Sequence, residues 1–353
     1  MGWEQFGYHI DTFEYCRHLR DRFDLTYLCA DGGLPRKELR GVEIVYCGPP
    51  VAGRIEPRIV ADAISLLRRR SFDVAFVQRT KFAFLLRMVC RSVPMVFDVR
   101  TGSVAGGASA RAVENAWIRW NARRFRYVTA ISEGLVRQLR LPERTRIIPL
   151  GANPTSACAA AVRDELRLIY VGTFNNRQLN RTIQGLGLYA ARGELPFSYL
   201  LIGFGSAEER ARLENAIREN RLSSEVEVRG RVDHDELPAL MSCHNVGVAF
   251  TPLEPWFEHQ PSTKVFEYLQ SGLLCLATDS AANRETVNRS NGVLIKDTPE
   301  AFCAGLRAIE TMLPGWRPRD VTATVQAGSW AHIVEGELIP LFEEILQAGG
   351  ADS

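Results

Sequence analysis

The sequence predicts an α/β protein built from two doubly wound domains. Short apolar runs alternate with helical patterns, and this alternation runs once through each half of the chain. The 353 residues provide enough chain for two domains of about 100–200 residues each. Between the halves, the sequence Gly-Ala-Asn-Pro at 151–154 is followed by small residues, as is typical of a hinge. We therefore expect one domain over residues 1–150 and a second domain that begins at residue 151.

The individual strands are predicted from short apolar runs bounded by turn residues. In the first half we expect strands at residues 25–30, 43–47, 74–78, 95–99, 127–131 and 146–149. In the second half we expect them at residues 166–171, 198–203, 225–229, 246–250, 273–277 and 292–295. Helices are predicted between the strands, for example at residues 8–21, 207–220 and 263–271.

The first strand of the first domain is missing from this pattern. A doubly wound domain begins with a strand that ends in a glycine-containing loop. Here residues 2–7 are typical of a loop and lead directly into a helical pattern. We hypothesise that the natural protein extends further upstream, which mapping of the translation start would test. If Met1 is the true start, the first sheet is imperfect.

Composition narrows the class of protein. Apolar residues make up 46% and charged residues 24% of the chain, which excludes a disordered, collagen-like or coiled-coil protein. The net charge of +2 hides an asymmetry, because residues 1–150 carry 25 basic and 15 acidic residues, whereas residues 151–353 carry 18 and 26. Uneven halves indicate that one of them meets an anionic surface or ligand.

The cysteines and the apolar runs add two further expectations. The eight cysteines form no CxxC pair, so we expect buried thiols and no metal site. No apolar run approaches the roughly 18 residues that a transmembrane helix needs. The sequence therefore predicts a soluble or peripheral protein.

The most informative segment reads Pro-Ser-Thr-Lys-Val-Phe-Glu-Tyr-Leu-Gln-Ser-Gly at residues 261–272. Ser262 or Thr263 is expected to begin a helix, whose first amide groups attract phosphate. Lys264 would lie in the first turn, which is favourable if an anion binds in front of it. Glu267 is expected on the same side of the helix, where its carboxylate could accept hydrogen bonds from a ribose diol. The alternative is an ordinary helix start with a solvated lysine and glutamate.

This segment resembles the nucleotide-sugar site of the retaining GT-B glycosyltransferases of family four (glycosyl transferases group 1). Further motifs are similar to that family and follow in the same order, namely Ile-Ser-Glu-Gly at 131–134, Ile-Ile-Pro-Leu-Gly-Ala at 147–152, Ile-Tyr-Val-Gly-Thr-Phe at 169–174, Leu-Ile-Gly-Phe-Gly at 201–205, Val-Arg-Gly-Arg-Val at 228–232 and Ser-Trp at 329–330. The resemblance covers residues 127–345 well and residues 1–126 weakly.

The resemblance implies a GT-B fold, in which two Rossmann-like domains face each other across a cleft. By this resemblance, residues 1–150 would bind the acceptor, and residues 151–315 would bind the nucleotide sugar. Residues 316–353 would form a C-terminal helix that crosses back to the first domain.

The resemblance also assigns roles in the donor site. The glutamate that matches Glu267 binds the nucleotide ribose, and the cation that matches Lys264 binds the diphosphate. After the glycine that matches Gly172 the family usually has an arginine. This chain has threonine at that place, so Arg177 is the expected replacement, with Arg181 as the alternative. The other expected donor contacts are two residues at the helix start, one near the base and one in the opening loop: Ser262, Thr263, Arg231 and Gly7.

Three residues are candidates for the reacting centre. The family often has a second glutamate eight positions before the ribose-binding one, and here that position is His259. This histidine would hydrogen-bond the sugar or phosphate, or it is an ordinary surface histidine. Asp98 and Arg100 follow a predicted strand, at the end where open α/β sheets bind ligands. They are expected either to position the acceptor or the leaving phosphate, or to form a buried structural pair.

Residues 111–126 form a basic helical pattern that contains five arginines. Val113, Ala116, Trp117 and Trp120 recur in it at helical spacing. One interpretation is an amphipathic helix that lies on an anionic membrane. The other is a domain helix whose tryptophans lie in the core while its arginines are solvated.

The sequence as a whole predicts a glycosyltransferase of the hexosyltransferase type. We expect transfer from a nucleoside diphosphate sugar to a glycan or lipid-linked acceptor, with retention and with no metal or other cofactor, in the synthesis of cell-surface polysaccharide or glycolipid. The expected location is the cytoplasm, including the cytoplasmic face of an anionic membrane. No nucleic-acid partner is expected, because no binding motif accompanies the basic charge. The alternatives are a non-catalytic GT-B binding subunit, a GT-B sugar-nucleotide epimerase and, more distantly, a NAD-dependent oxidoreductase, for which the dinucleotide fingerprint is lacking.

Overall fold

The structure is a computed structural model of the chain, and it describes residues 10–31, 36–48, 55–105, 107–153, 162–192, 195–233 and 236–351. These residues form two compact units. The first unit runs up to Leu150 and resumes at Trp330, and the second unit runs from Gly151 to Ser329.

The first unit alternates helices with short strands. In chain order its elements up to Leu150 are α1 (Ile10–Leu19), β1 (Leu25–Cys29), β2 (Val42–Tyr46), α2 (Ile55–Arg69), β3 (Ala75–Gln78), α3 (Ala83–Val89), β4 (Met95–Val99), α4 (Ala108–Ala122), β5 (Tyr127–Ala130), α5 (Glu133–Leu139) and β6 (Arg146–Ile147). All strand pairs in it are parallel among the described residues, which is the pairing that intervening helices produce.

The strands of the first unit belong to two separate sheets within the described part of the chain. β1 pairs with β2, and the other four strands form a sheet in the order β3-β4-β5-β6. Residues 1–9, ahead of α1, lie outside the described residues, and no described strand joins the two sheets. Gly7 lies outside the described residues.

The second unit contains a larger parallel sheet. Its elements are β7 (Leu166–Thr173), α6 (Asn180–Ala190), β8 (Phe197–Phe204), α7 (Ala207–Glu219), β9 (Val226–Arg229), α8 (Leu237–Ser242), β10 (Val246–Ala249), α9 (Thr263–Gln270), β11 (Leu274–Thr278), α10 (Ala281–Arg284), β12 (Gly292–Ile295), α11 (Pro299–Met312) and α12 (Pro318–Ala323).

The strand order of this sheet, β12-β11-β10-β7-β8-β9, determines where a ligand can bind. The chain passes from β7 to β8 on one side, whereas β10 pairs with β7 on the other side. The connections on the two sides of β7 therefore diverge, and a crevice forms at the carboxyl ends of these strands. The core of the sheet is a continuous cluster of buried apolar side chains from all six strands, β7 to β12, and the helices that cover them.

The chain returns to the first unit at Trp330, where α13 (Trp330–Ile333) leads through a π turn into α14 (Ile339–Ala351). Trp330 packs edge-on against Tyr15 of α1, with 5.6 Å between ring centroids. The sequence places the whole stretch 316–353 in the returning segment, but the structure assigns residues 316–329 to the second unit. The reason is local packing, because Trp316 Nε1 donates a 3.0 Å hydrogen bond to the carbonyl oxygen of Gly272.

All twelve predicted strands are confirmed, each within two residues of its expected bounds. None of the seven described cysteines is in a disulfide, and six of them are buried. Within the described residues, no group of three His, Cys, Asp or Glu side chains is arranged to hold a metal ion. No described helix is both long enough and apolar enough to span a bilayer.

Candidate active site

The site of the second unit begins with two adjacent glycines at the carboxyl ends of β7 and β8. Gly172 and Gly203 are partners in the register of the two strands, and they have φ values of +144° and +158°. A Cβ at residue 203 would lie 1.8 Å from the carbonyl oxygen of Gly172. No side chain fits between the two backbones at this point. Glycine at both positions is therefore required by the close packing of protein atoms at this strand end.

Lys264 projects from the first turn of α9 onto this backbone. A Cβ at residue 172 would lie 2.5 Å from Lys264 Cε and 2.8 Å from Nζ. The amine also lies 5.5 Å from the ring centroid of Tyr170. Burial, with a smaller contribution from Arg177, lowers the pKa of Lys264 to about 8. Lys264 is half-buried and not fully solvated, which favours the anion-binding interpretation of this helix start.

The packing of α9 explains why Lys264 points there. The buried side of the helix carries Val265, Tyr268 and Leu269. The Tyr268 hydroxyl accepts a 2.9 Å hydrogen bond from the backbone N–H of Val171, which ties the helix to β7. Gly247 of β10 leaves room for the tyrosine ring, because a Cβ at that position would lie 2.1 Å from Tyr268 Cγ. The packing of Tyr268 against β7 and β10 thus fixes the position of α9 and of Lys264 in its first turn.

The start of α9 is also arranged to receive an anion. Ser262 is the N-cap residue, but its side chain makes no capping hydrogen bond, and Thr263 is the first residue of the helix. The Val265 N–H donates to the carbonyl oxygen of Ser262 at 3.1 Å, so the amide groups of Thr263 and Lys264 are those that keep their capacity to bind a ligand. Glu267 is half-buried one turn further along.

Arg177 lies in the loop that follows β7, between two residues with left-handed backbone conformations. Asn176 and Gln178 have φ values of 58° and 51°, which are unfavourable for residues other than glycine. The Arg177 guanidinium lies over the ring of Phe257, with its Cζ 5.0 Å from the centroid. Its Nε is buried and has no hydrogen-bond partner among the described residues. A buried donor without a partner is costly unless a ligand supplies the acceptor.

Arg181, the alternative loop cation, has a structural role. Its Nη1 donates to the carboxylate of Asp297 at 2.9 Å and to the carbonyl oxygen of the same residue at 2.8 Å. The Asp297 carboxylate also accepts the backbone N–H of Leu253. Arg181 therefore joins α6 to the loops around β12, and Arg177 remains as the cation beside Lys264.

The loop before α9 holds the residues expected near the donor sugar. The Glu258 carboxylate accepts the backbone N–H of Ala281 at 3.0 Å, and its backbone carbonyl oxygen accepts the N–H of Ala282 at 3.0 Å, so Glu258 holds the start of α10. His259 follows it and is half-buried. A small cavity of about 20 Å³ lies against this loop, with a lining that includes Phe257, Glu258 and Ser262.

Arg231 lies after β9 and is exposed. Its Cζ lies 5.5 Å from the ring centroid of Phe204, which ends β8 and is 40% exposed. Both side chains are exposed at the carboxyl edge of the sheet. From sequence, Phe257 is one of two aromatics expected near the donor sugar or in the core, and Phe204 has no role assigned beyond its motif.

Asp98 and Arg100 lie in the first unit, where both are buried. This arrangement matches the expected alternative of a buried structural pair. Asp98 is 0% exposed and accepts a 2.7 Å hydrogen bond from the Thr129 hydroxyl. Arg100 donates to Asp11 at 2.7 Å and to the carbonyl oxygen of Ile148 at 2.6 Å. Burial raises the pKa of Asp98 to about 6. With no exposed atom on Asp98, the geometry assigns this residue to the support of the first sheet.

The fold and the site together define a GT-B protein, and three solved structures are similar to it. Sucrose-phosphate synthase from Thermosynechococcus elongatus is 18% identical with a TM-score of 0.79, over 96% of this chain and 93% of that chain. HepE from Anabaena in complex with UDP is 17% identical with a TM-score of 0.70, over 94% and 95%. The lipopolysaccharide outer core galactosyltransferase WaaB is 13% identical with a TM-score of 0.67, over 97% and 98%.

Two family models place the chain within this class. Residues 165–311 match the model described as glycosyl transferases group 1, and residues 11–156 match the model described as glycosyltransferase family 4. The chain is a glycosyltransferase that belongs to this family. The match extends through the first unit, where the sequence motifs are weak. No curated protein matches the sequence significantly.

Proposed function

We propose that the second unit binds a nucleoside diphosphate sugar with its diphosphate against Lys264 and Arg177. The observation that carries this proposal is the pairing of two partly desolvated cations at one strand end. Burial, and to a smaller extent the charge of Arg177, lowers the pKa of Lys264, so an anion bound beside the two cations would stabilise the charged amine. The buried Nε of Arg177 has no described partner, and a phosphate oxygen would supply one.

The other predicted contacts extend along the nucleotide. Glu267 would accept the ribose hydroxyls, the first amides of α9 at Ser262 and Thr263 would bind phosphate oxygens, and the base would lie toward Arg231 and Phe204. HepE, with the same fold, has been solved with UDP, with UDP and glucose, and with UDP-glucose, which supports a nucleotide sugar as donor. The nucleotide sugar is a substrate, and the proposal includes no further cofactor.

The chemistry follows from the charges around the diphosphate. In the transfer step the bond from the anomeric carbon to the phosphate oxygen breaks, and the acceptor oxygen bonds to that carbon. The acceptor proton leaves with the diphosphate. Lys264, Arg177 and the amides of α9 would stabilise the negative charge that develops on the departing group. His259 would hydrogen-bond the sugar, and we propose retention at the anomeric carbon with no bound metal, as the family resemblance implies.

The proposal also includes the chemical class of the acceptor. We propose a hexosyl transfer to a glycan or lipid-linked acceptor bound by the first unit, in cell-surface polysaccharide or glycolipid synthesis. The cytoplasm and the cytoplasmic face of an anionic membrane are the corresponding locations. The excess of basic residues in the first 150 positions supports an anionic acceptor or surface.

Thermal unfolding with a panel of UDP-, GDP- and ADP-sugars tests the donor site, because a ligand that binds the native state raises Tm. We expect one nucleotide class to stabilise the protein, and Lys264→Met and Arg177→Met to lose that effect. Arg192→Met is the matched control, since Arg192 is an exposed arginine of the same unit. Absence of stabilisation by every nucleotide sugar would overturn the proposed donor site.

A non-catalytic binding subunit is the second candidate, and it is favoured by His259 at a position where the family often has a carboxylate. Product analysis separates the candidates. Transfer or slow hydrolysis of the donor supports the enzyme, and a changed sugar in an intact nucleotide sugar supports an epimerase. Stabilisation by nucleotide with no turnover of any kind supports the binding subunit.

A further inference from the structure

The first unit carries an exposed surface that is both aromatic and basic. It comprises neighbouring side chains from α3, α4 and the residues just after them, and we refer to it as the α3–α4 patch: Phe84, Arg87, Met88, Arg91, Val113, Trp117, Trp120 and Arg124. An open cavity of about 400 Å³ lies within it, lined by Phe84, Arg87, Met88, Arg91 and Arg124.

The apolar side of α4 faces solvent and not the core. Val113 is 70% exposed and Trp117 is 37% exposed, whereas the buried residues of the helix are Ile118, Asn121 and Ala122. Of the two interpretations of this helix, the one that places both tryptophans in the core does not hold for Trp117, and Trp120 is half-buried. On α3, Met88 is 58% exposed. Exposed apolar side chains that lie close together are typical of a surface that meets a partner.

The aromatic part of the patch is rigidly packed on the surface. Trp117 stacks on Trp120 with 4.6 Å between centroids and 9° between planes, and Phe84 lies edge-on to both rings. Trp117 Nε1 donates a 2.6 Å hydrogen bond to the carbonyl oxygen of Lys81. Arg124 lies over Trp120, with its Cζ 3.1 Å from the centroid. These contacts hold the tryptophans in place before any partner arrives.

The arginines of the patch are not neutralised within the described part of the chain. Arg87, Arg91 and Arg124 have no described carboxylate within salt-bridge distance, although Lys81 at the edge is paired with Glu114. The three arginines line the same open cavity as the exposed Met88, and Arg124 lies over Trp120. A partner for such a surface must combine negative charge with an apolar interior.

We infer that the α3–α4 patch docks on an anionic lipid bilayer. Phosphate head groups would bind the arginines, while Trp117, Met88 and Val113 would enter the boundary between head groups and acyl chains. A nucleic acid would use the cations but not the exposed apolar side chains, and a second copy of the chain would bring like charges together. The inference rests on the proposed function for its purpose alone, since the bilayer would present a lipid-linked acceptor.

Vesicle sedimentation with the full chain tests this inference. We expect binding at low salt to phosphatidylcholine vesicles that contain about one third phosphatidylglycerol, and about tenfold or more weaker binding to pure phosphatidylcholine or at high salt. Met88→Glu/Arg91→Glu should lower the partition coefficient about tenfold or more. The matched control is Leu188→Glu/Arg192→Glu, which makes the same charge change at an exposed leucine and an exposed arginine of the second unit.

Fluorescence quenching by brominated lipids gives a second readout that does not depend on a charge reversal. Trp117 is at the surface, so we expect quenching of the wild-type protein and weaker quenching of Trp117→Phe. Absence of binding to anionic vesicles, equal loss in the patch and control variants, or absence of quenching would overturn the inference. Preferred binding to a single-stranded oligonucleotide over vesicles would also overturn it. Nucleotide-dependent stabilisation of the patch variant reports on the donor site separately.

Discussion

The side chain of Lys264 occupies the space beside Gly172 that a Cβ atom would fill. A Cβ at residue 172 would lie 2.8 Å from Lys264 Nζ, and the φ of this glycine is +144°. The close approach brings the amine to the carboxyl end of β7, at the crevice between diverging connections. A glycine at this position is therefore a requirement for the placement of the lysine, in addition to its role in the backbone turn.

The first prediction concerns this contact. Gly172→Ala should displace the lysine amine and strain the backbone, and so weaken nucleotide-sugar binding about thirtyfold or more, of the order expected for a lost charge-assisted hydrogen bond. Isothermal titration with the stabilising nucleotide sugar measures the effect. Gly230→Ala is the control, because a Cβ there meets no atom within 4 Å. Equal affinities of the two variants would show that the lysine does not contact the donor.

The second prediction is a pH dependence of donor binding. The pKa of Lys264 is about 8 in the protein without ligand, and a bound diphosphate would raise it. Below about pH 7 the amine is already charged, so affinity should be constant. Above about pH 8 binding must take up a proton, and affinity should fall by up to about tenfold per pH unit.

A nucleoside diphosphate sugar is the suitable ligand for this measurement, because its phosphates do not titrate near pH 8. Lys264→Arg should remove the decline, since a guanidinium stays charged throughout the range. A wild-type affinity that does not change with pH would contradict the assignment of Lys264 to the diphosphate.

The third prediction separates the ribose contact from the phosphate contact. A hydrogen bond to a charged group contributes about 1.5–3 kcal/mol, so Glu267→Ala should weaken binding of the nucleotide roughly tenfold to a hundredfold. The variant should also lose discrimination between the ribonucleotide and its 2′-deoxy analogue, whereas Lys264→Met should keep it. If Glu267→Ala discriminates as well as the wild type, Glu267 does not bind the ribose.

The sequence predicts the strands and the start of α9, because these depend on local apolar runs and turn residues. It does not predict which loop cation is available to a ligand. Arg177 and Arg181 are equally basic, and the difference arises from Asp297, which is distant in sequence and pairs with Arg181. The desolvation of Lys264 likewise depends on Tyr268 and on the strand that binds its hydroxyl.

The tryptophans of α4 show a second limit of prediction from sequence. Helical spacing of apolar residues identifies one side of a helix, but the same spacing describes a side that packs on a sheet and a side that faces solvent. Here Ile118 and Ala122 are the buried apolar residues of the helix, and Trp117 remains exposed. The role of Asp98 and Arg100 was equally open, because the partner that fixes Arg100 is Asp11 of α1.

The fourth prediction tests the structural role of Asp98 through stability. Its pKa is about 6 in the folded protein and about 3.9 when unfolded, so between these values the folded state binds more protons. The free energy of unfolding should therefore fall as pH rises from about 4 to about 6 and then level off with respect to this group. Asp98→Asn lacks the titrating group, so the difference in stability between wild type and variant should decrease over that range by about 2 kcal/mol.

Denaturant unfolding at several pH values measures this difference. Asp320→Asn is the control, because that aspartate is largely exposed and should show little dependence. A stability difference that grows with rising pH would mean that the ionised Asp98 is stabilised by Arg100 by more than its burial costs. A large loss of transferase activity with unchanged stability would instead assign Asp98 to the reacting centre.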